Sequence, residues 1–203
     1  MALQNASVVT DPTNLQIVKN GGPSKVQELV ASLGTRSDSK LSTKVKLSSG
    51  VELISKPSHL NVPPWQMVSV VLGGSLYGCN PVVNPKIYTT TQSTEITCWN
   101  DDLGTPGSVE IATTRQWTGK TFGLTVGSGS NFNRAKLGVS TTGNDHYSIF
   151  GDMNRQGAVS GERCSSSQNG RGGLFYVIND PVLFDNLKQL ISGSTTQTAS
   201  SPR

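Results

Sequence analysis

The chain has 203 residues and a mass of 21.5 kDa, enough for one domain with a sizeable core of its own. It is 34% apolar and 15% charged, with 46 Ser and Thr, 22 Gly and 10 Pro, a profile of short strands and turns that excludes a helical bundle. The net charge of +4 lies between Lys19 and Lys56, where seven basic residues stand against three acidic ones, so contact with a polyanion is expected there.

Several other classes are excluded by what the letters lack. No apolar run approaches the roughly 18 residues of a membrane span. No charged segment leads into an apolar stretch as in a secretion signal, so synthesis in the cytoplasm and no membrane contact are expected. Cys79, Cys98 and Cys164 are too few for a disulfide scaffold and match no zinc spacing, so neither metal nor cofactor is expected. His59 lies in a Pro-rich stretch and His146 follows Asp145 in a turn. No nucleophile elbow accompanies them, and the chain does not read as an enzyme. Asp101-Asp102 before Gly104 reads as a turn, and Asn169–Gly173 lacks the strand and the Lys-Ser/Thr ending of a phosphate loop.

In chain order, Ser7–Thr10 and Leu15–Val18 flank Asp11-Pro12 as a hairpin. Residues 24–33 fit a helix capped by Ser24, with Val26, Leu29, Val30 and Leu33 on one face; a strand held by tertiary pairing is the other option. From Leu41 the period is two: Ser42, Lys44, Lys46 and Ser48 form a wet face, and Val45 and Leu47 are expected in the core. Gln66–Leu72 reads as a central strand and Lys86–Trp99 as another, separated by the loop Gly73–Pro85. In residues 100–170, Val109–Thr114, Thr121–Val126, Lys136–Ser140 and Tyr147–Phe150 suggest hairpins packed as an extra layer, although Phe122–Ser140 could supply two strands of the sheet. Leu174–Ile178 fits a helical turn or two. The convincing helix follows, with Asp180 as cap, Pro181 in the first turn, Leu183, Phe184, Leu187, Leu190 and Ile191 on one face, and Gly193 as stop. Residues 193–203 read as a mobile tail.

Lys44 and Lys46 leave a strand on one side, with Ser48 beside them, and Lys86, Tyr88, Thr90 and Gln92 share a side of the later strand. A sheet surface of this kind suits an RNA hairpin: cations meet phosphates and the ring stacks on an unpaired base.

The order of these segments resembles the coat proteins of single-stranded RNA bacteriophages, the levivirus type. The likeness rests on Met1–Asn5 with Val8–Asp11, on Val26–Val30, on Lys44–Ser49, on Pro85–Thr97 and on Tyr176–Leu190. It implies an α+β, mostly β fold: an N-terminal hairpin plus an antiparallel sheet (residues 1–99), a β-rich insertion (100–170), C-terminal helices clasping a dimer partner (171–192) and a flexible tail (193–203). It also implies a strand rather than a helix over residues 26–31. The function it implies is a capsid protein of the virion, made in the host cytoplasm, that forms homodimers, assembles into an icosahedral shell and binds genomic RNA on its inner sheet face. Lys44, Lys46, Ser48, Tyr88 and Thr90 would contact that RNA, with Lys56 near them. Leu183, Phe184, Leu187, Leu190 and Ile191 would form the dimer interface, and Cys79 would suit an intersubunit disulfide. Residues 100–170 have no counterpart in compact members of that family, and Gly50–Pro64 is longer than their usual turn. The alternatives are a secreted or surface β-sandwich that binds carbohydrate or protein, and a jelly-roll capsid subunit.

Overall fold

Pro64 opens a helix, α1 (Pro64–Leu72): its fixed φ suits a first-turn position whose N–H would have no intrahelical partner. The computed structural model describes residues 23–25, 27–28, 43–74, 84–90, 99–112, 114–117, 119–123, 135–153, 172–191 and 195–198. Every residue of α1 is buried, which is why the strand expected over Gln66–Leu72 is a helix instead. A run buried on all sides, here with Gln66 and Ser69 enclosed among apolar residues, has no wet face and so no period to separate the two forms. The Pro63-Pro64 pair before it was the available signal.

The strands are β1 (Thr43–Lys46), β2 (Glu52–Lys56), β3 (Ile87–Thr89), β4 (Val109–Ala112), β5 (Thr114–Trp117), β6 (Lys120–Gly123), β7 (Leu137–Ser140), β8 (Tyr147–Gly151), β9 (Gly173–Asn179) and β10 (Thr195–Thr198). Eight of them form one sheet in the order β1-β2-β9-β8-β7-β3-β4-β10, and β5 and β6 pair as a separate ribbon. Among the described strands only β3 and β4 run parallel. β1 and β2 are joined by a tight turn in which the Leu47 amide donates to the Val51 carbonyl at 2.8 Å. Gly50 takes φ +86° there, a left-handed conformation that side chains disfavour. The chain is thus α+β and mostly β.

The register divides the sheet into two faces. Ile54, Ile87, Val109, Ile149, Phe175 and Val177 lie on one, in a cluster with Trp65, Met67, Val68 and Val71 of α1. Trp65 anchors it: its ring meets Phe175 edge-on with centroids 5.3 Å apart, and its Nε1 donates to the Met153 carbonyl at 2.8 Å. The indole reaches this depth because Gly138 lies beneath it, where a Cβ would stand 2.6 Å from Trp65 Cζ3. On the other face Tyr88, Ala112, Leu137 and Val139 pack with Phe184 and Ile191, flanked by Phe150, Leu187 and Leu190. Each side chain fully buried in these clusters contributes about 1.5–3 kcal/mol.

The second helix, α2 (Pro181–Leu190), starts as its sequence dictates: Asp180 Oδ1 accepts from the Leu183 amide at 2.7 Å. It ends with Ile191 in the cap position, ahead of Gly193. Its apolar stripe lies on β7, β8 and β5 of its own chain.

Several expectations are corrected. Leu174–Ile178 is not helical; it lies within β9, paired with β2 and β8, as its aromatic and β-branched residues prefer. Of residues 100–170, β4, β7 and β8 belong to the main sheet and not to a separate layer. Thr195–Thr198 pairs with β4 as an edge strand instead of trailing as a tail. Ser24, Lys25, Gln27 and Glu28 are helical, with the Gln27 amide donating to the Pro23 carbonyl at 3.0 Å, so at Gln27 and Glu28 a helix replaces the strand implied over 26–31, whose other residues lie outside those described. A single sheet with a helix on each face also differs from the two four-stranded sheets of a jelly roll. The N-terminal hairpin expected over residues 1–22, Gln92, Cys79 and Cys164 lie outside the described residues.

Candidate functional site

The alternation of β1 is as expected and its lysine side is wet, but Val45 and Leu47 are not in the core. Lys44 stands opposite Ile54 and Lys46 opposite Glu52, so both lysines project on the α1 side. Val45 stands opposite Leu53 on the α2 side. β1 is the outermost of the described strands, and neither α1 nor α2 packs chiefly upon it. The lysine face there is solvated: Lys46 and Ser48 are exposed, and Lys44 lies 3.7 Å from Glu52. The apolar face is open as well, with Val45 and Leu47 about two-fifths exposed at 40% and 41%.

The surface expected to grip RNA is therefore not a single surface. Tyr88 is on the α2 side, opposite Val139 and Glu110, and is buried in the cluster that α2 covers. Lys86, on the same side, is engaged with Glu110. Thr90 is buried, its Oγ1 donating to the Ala135 carbonyl at 2.8 Å. Lys56 is buried on the α1 side, where its Nζ donates to the Pro57 carbonyl at 3.3 Å and burial lowers its pKa to about 7. Tyr88, Thr90 and Lys56 are thus withdrawn as surface contacts by burial, and Lys44, Lys46 and Ser48 remain together at the β1 end.

The residues expected at a dimer interface are also relocated. Phe184 and Ile191 are buried against their own sheet, and Leu183, Leu187 and Leu190 are partly buried. His146 meets the Phe184 ring edge-on at 4.9 Å, and Lys188 Nζ stands 5.5 Å from its centroid. The stripe lies partly on the chain's own sheet because α2 follows directly from β9, the neighbour of β8 on which it lies.

What reading of the sequence missed is a row of side chains that crosses the sheet. Val45, Leu53, Tyr176, Phe150 and Leu137 stand side by side on five successive strands, all on the α2 side. α2 covers the Leu137 and Phe150 end. At the other end Tyr176 is 47% exposed. The positions of β1, β2 and β9 that share this face (Val45, Leu53, Ser55, Leu174, Tyr176 and Ile178) include no charged residue. α2 thus roofs one part of the face, while on β1, β2 and β9 Val45 and Tyr176 are exposed and Leu53 and Ile178 half-buried beside the buried Ser55 and Leu174, an uncharged and largely apolar strip. A strip of this kind favours association with another apolar surface.

Among the described residues no group of three His, Cys, Asp or Glu is placed to hold a metal ion, and no helix is long and apolar enough to cross a membrane. No family model, no curated protein and no solved structure matches this chain.

Proposed function

We propose that the chain is a viral coat subunit that associates with copies of itself, closes into an icosahedral shell and holds genomic RNA on the inner side, as its resemblance to the coat proteins of single-stranded RNA bacteriophages implies. The observation that carries this reading is the partly exposed apolar strip on the α2 face, from Val45 through Leu53 to Tyr176. Leaving such a strip in water is unfavourable at about 25 cal/mol per Å² of apolar surface, and a second copy would cover it. The strip is uncharged, so two identical copies meet there without like-charge repulsion.

The period of two gives β1 a double use. Val45 and Leu47 serve association on one side, while the exposed Lys46 and the Glu52-paired Lys44 on the other face the phosphates, with Ser48 in the turn. The RNA contact accordingly moves from a lysine-and-tyrosine surface to the lysine edge of β1 and the basic segment that precedes it. Lysines on an edge strand also discourage edge-to-edge pairing, which favours association through the face. No residue in this reading is catalytic, and the protein's place is the virion after synthesis in a host cytoplasm.

The test is light scattering on the purified full chain as it elutes from size exclusion, with absorbance read at the nucleic-acid and protein maxima. Megadalton particles that carry nucleic acid are expected. A nucleic-acid-free species at the formula mass of 21.5 kDa would overturn the reading.

A further inference from the structure

The loop between β7 and β8, residues 141–146, is held against the start of β3. Thr142 Oγ1 accepts from the Lys86 amide at 2.8 Å, and the Thr141 amide donates to the Lys86 carbonyl at 2.8 Å. Between this loop and the C-terminal end of α1 lies a cavity of about 310 Å³, lined among others by Leu72, Gly73, Pro85, Asn144, Asp145 and Tyr147. That volume is at the small end of the range for ligand sites.

The polar side of the cavity is fixed in place. Asp145 Oδ2 accepts from the Tyr147 hydroxyl at 3.1 Å, and Asp145 Oδ1 accepts from Asn179 Nδ2 at 3.0 Å. The β8–β9 register sets Tyr147 opposite Asn179, so both donors come from paired strands of the sheet. A carboxylate has about four acceptor positions, and two donors leave the others available. The end of α1 adds to the same sign, because it carries the negative pole of the helix dipole, although the Gly73 and Gly74 amides already donate to the Ser69 and Val71 carbonyls. No Lys or Arg is among the lining residues, and the nearby Lys86 side chain is engaged with Glu110. Leu72 and Pro85 supply an apolar wall.

We infer that this cavity binds a compact organic cation, an alkylammonium or guanidinium group on a short hydrocarbon stem, with the head on the Asp145 carboxylate and the stem against Leu72 and Pro85. The cation comes either from a free amine or from a basic side chain of another copy of this chain. The inference does not depend on the coat reading.

Agmatine, which carries both head groups, is the probe, and 1,5-pentanediol is its neutral control. Amide resonances of Asp145 and Tyr147 are followed in the dilute, unassembled full chain. Agmatine is expected to give saturable shifts, with affinity at least tenfold weaker in D145N and falling as salt is raised; the diol gives none. Absence of saturable shifts, or equal binding of agmatine and diol, overturns the inference. The salt dependence of the unsubstituted chain decides the matter if D145N does not fold. The same titration on assembled particles separates the sources. Undiminished binding identifies a free amine, and binding abolished by assembly identifies a neighbour's side chain; both results support the cation site.

Discussion

Lys44 and Tyr88 lie on opposite faces of one sheet, with four strands between them. At about 4.8 Å per strand the separation across the sheet is roughly 24 Å, so no single RNA base and its phosphate could engage both. The two residues therefore divide in function: Tyr88 belongs to the core beneath α2, and Lys44 to a solvated edge.

Removing the edge lysines should weaken RNA binding without touching the fold. Each single-strand phosphate that a lysine neutralises adds roughly 0.7 to the log–log salt slope of RNA affinity, so K44A with K46A should reduce that slope by about 1.4. Filter binding over a salt series measures it, with thermal melting as the control for folding. An unchanged slope would show that Lys44 and Lys46 do not touch the RNA.

The partly exposed strip and the α2 stripe separate association from stability. Tyr176 is 47% exposed, so Y176D should leave the melting transition within about 0.5 kcal/mol of the unsubstituted chain while reducing self-association. Leu187 packs against the chain's own core, and L187D should cost about 2 kcal/mol or more in folding. Denaturant titration and light scattering on both variants check the pair. The reverse assignment, with L187D folded and dissociated, would restore α2 to the interface.

Trp65 tolerates nothing larger than hydrogen at residue 138. A Cβ there would stand 2.6 Å from the indole and 3.1 Å from Ile87 Cγ2, so G138A should destabilise by about 1–3 kcal/mol through overpacking. The denaturation midpoint reports it. A neutral substitution would show that α1 sits higher on the sheet.

Lys56 gives stability a pH dependence. Burial lowers its pKa from 10.5 to about 7, so between those values the unfolded chain binds more protons than the folded one. Stability therefore rises with pH across that window, by up to about 1.4 kcal/mol per pH unit, and the penalty is complete below pH 7. Tyr147 acts in the opposite sense. Burial first, then the hydrogen bond to Asp145 and the charges of Asp145 and Glu52, raise its pKa above the usual 10, so stability falls as pH climbs past 10. Melting temperatures between pH 7 and 10 should climb in the unsubstituted chain and stay flat in K56M.

The elements most legible in the sequence are those whose chemistry is local. Asp180-Pro181 marks the start of α2, and the alternation from Lys44 to Leu47 marks a strand. Lys136–Ser140 and Tyr147–Phe150 likewise fall within a residue of β7 and β8. What stays hidden is set by partners far along the chain. Alternation shows that Lys44 and Lys46 share a side, but not whether that side is covered, which depends on where α1 and α2 come to rest. Gln66–Leu72 carries no period because it is buried all round. The partly exposed strip exists only once β1, β2 and β9 are neighbours, and the Asp145 cavity only once Asn179 pairs with Tyr147.

Electron microscopy of the purified, negatively stained chain tests the central claim most directly. Closed particles of uniform diameter are predicted, and Y176D should abolish them. A field of dispersed single subunits from the unsubstituted chain would contradict it.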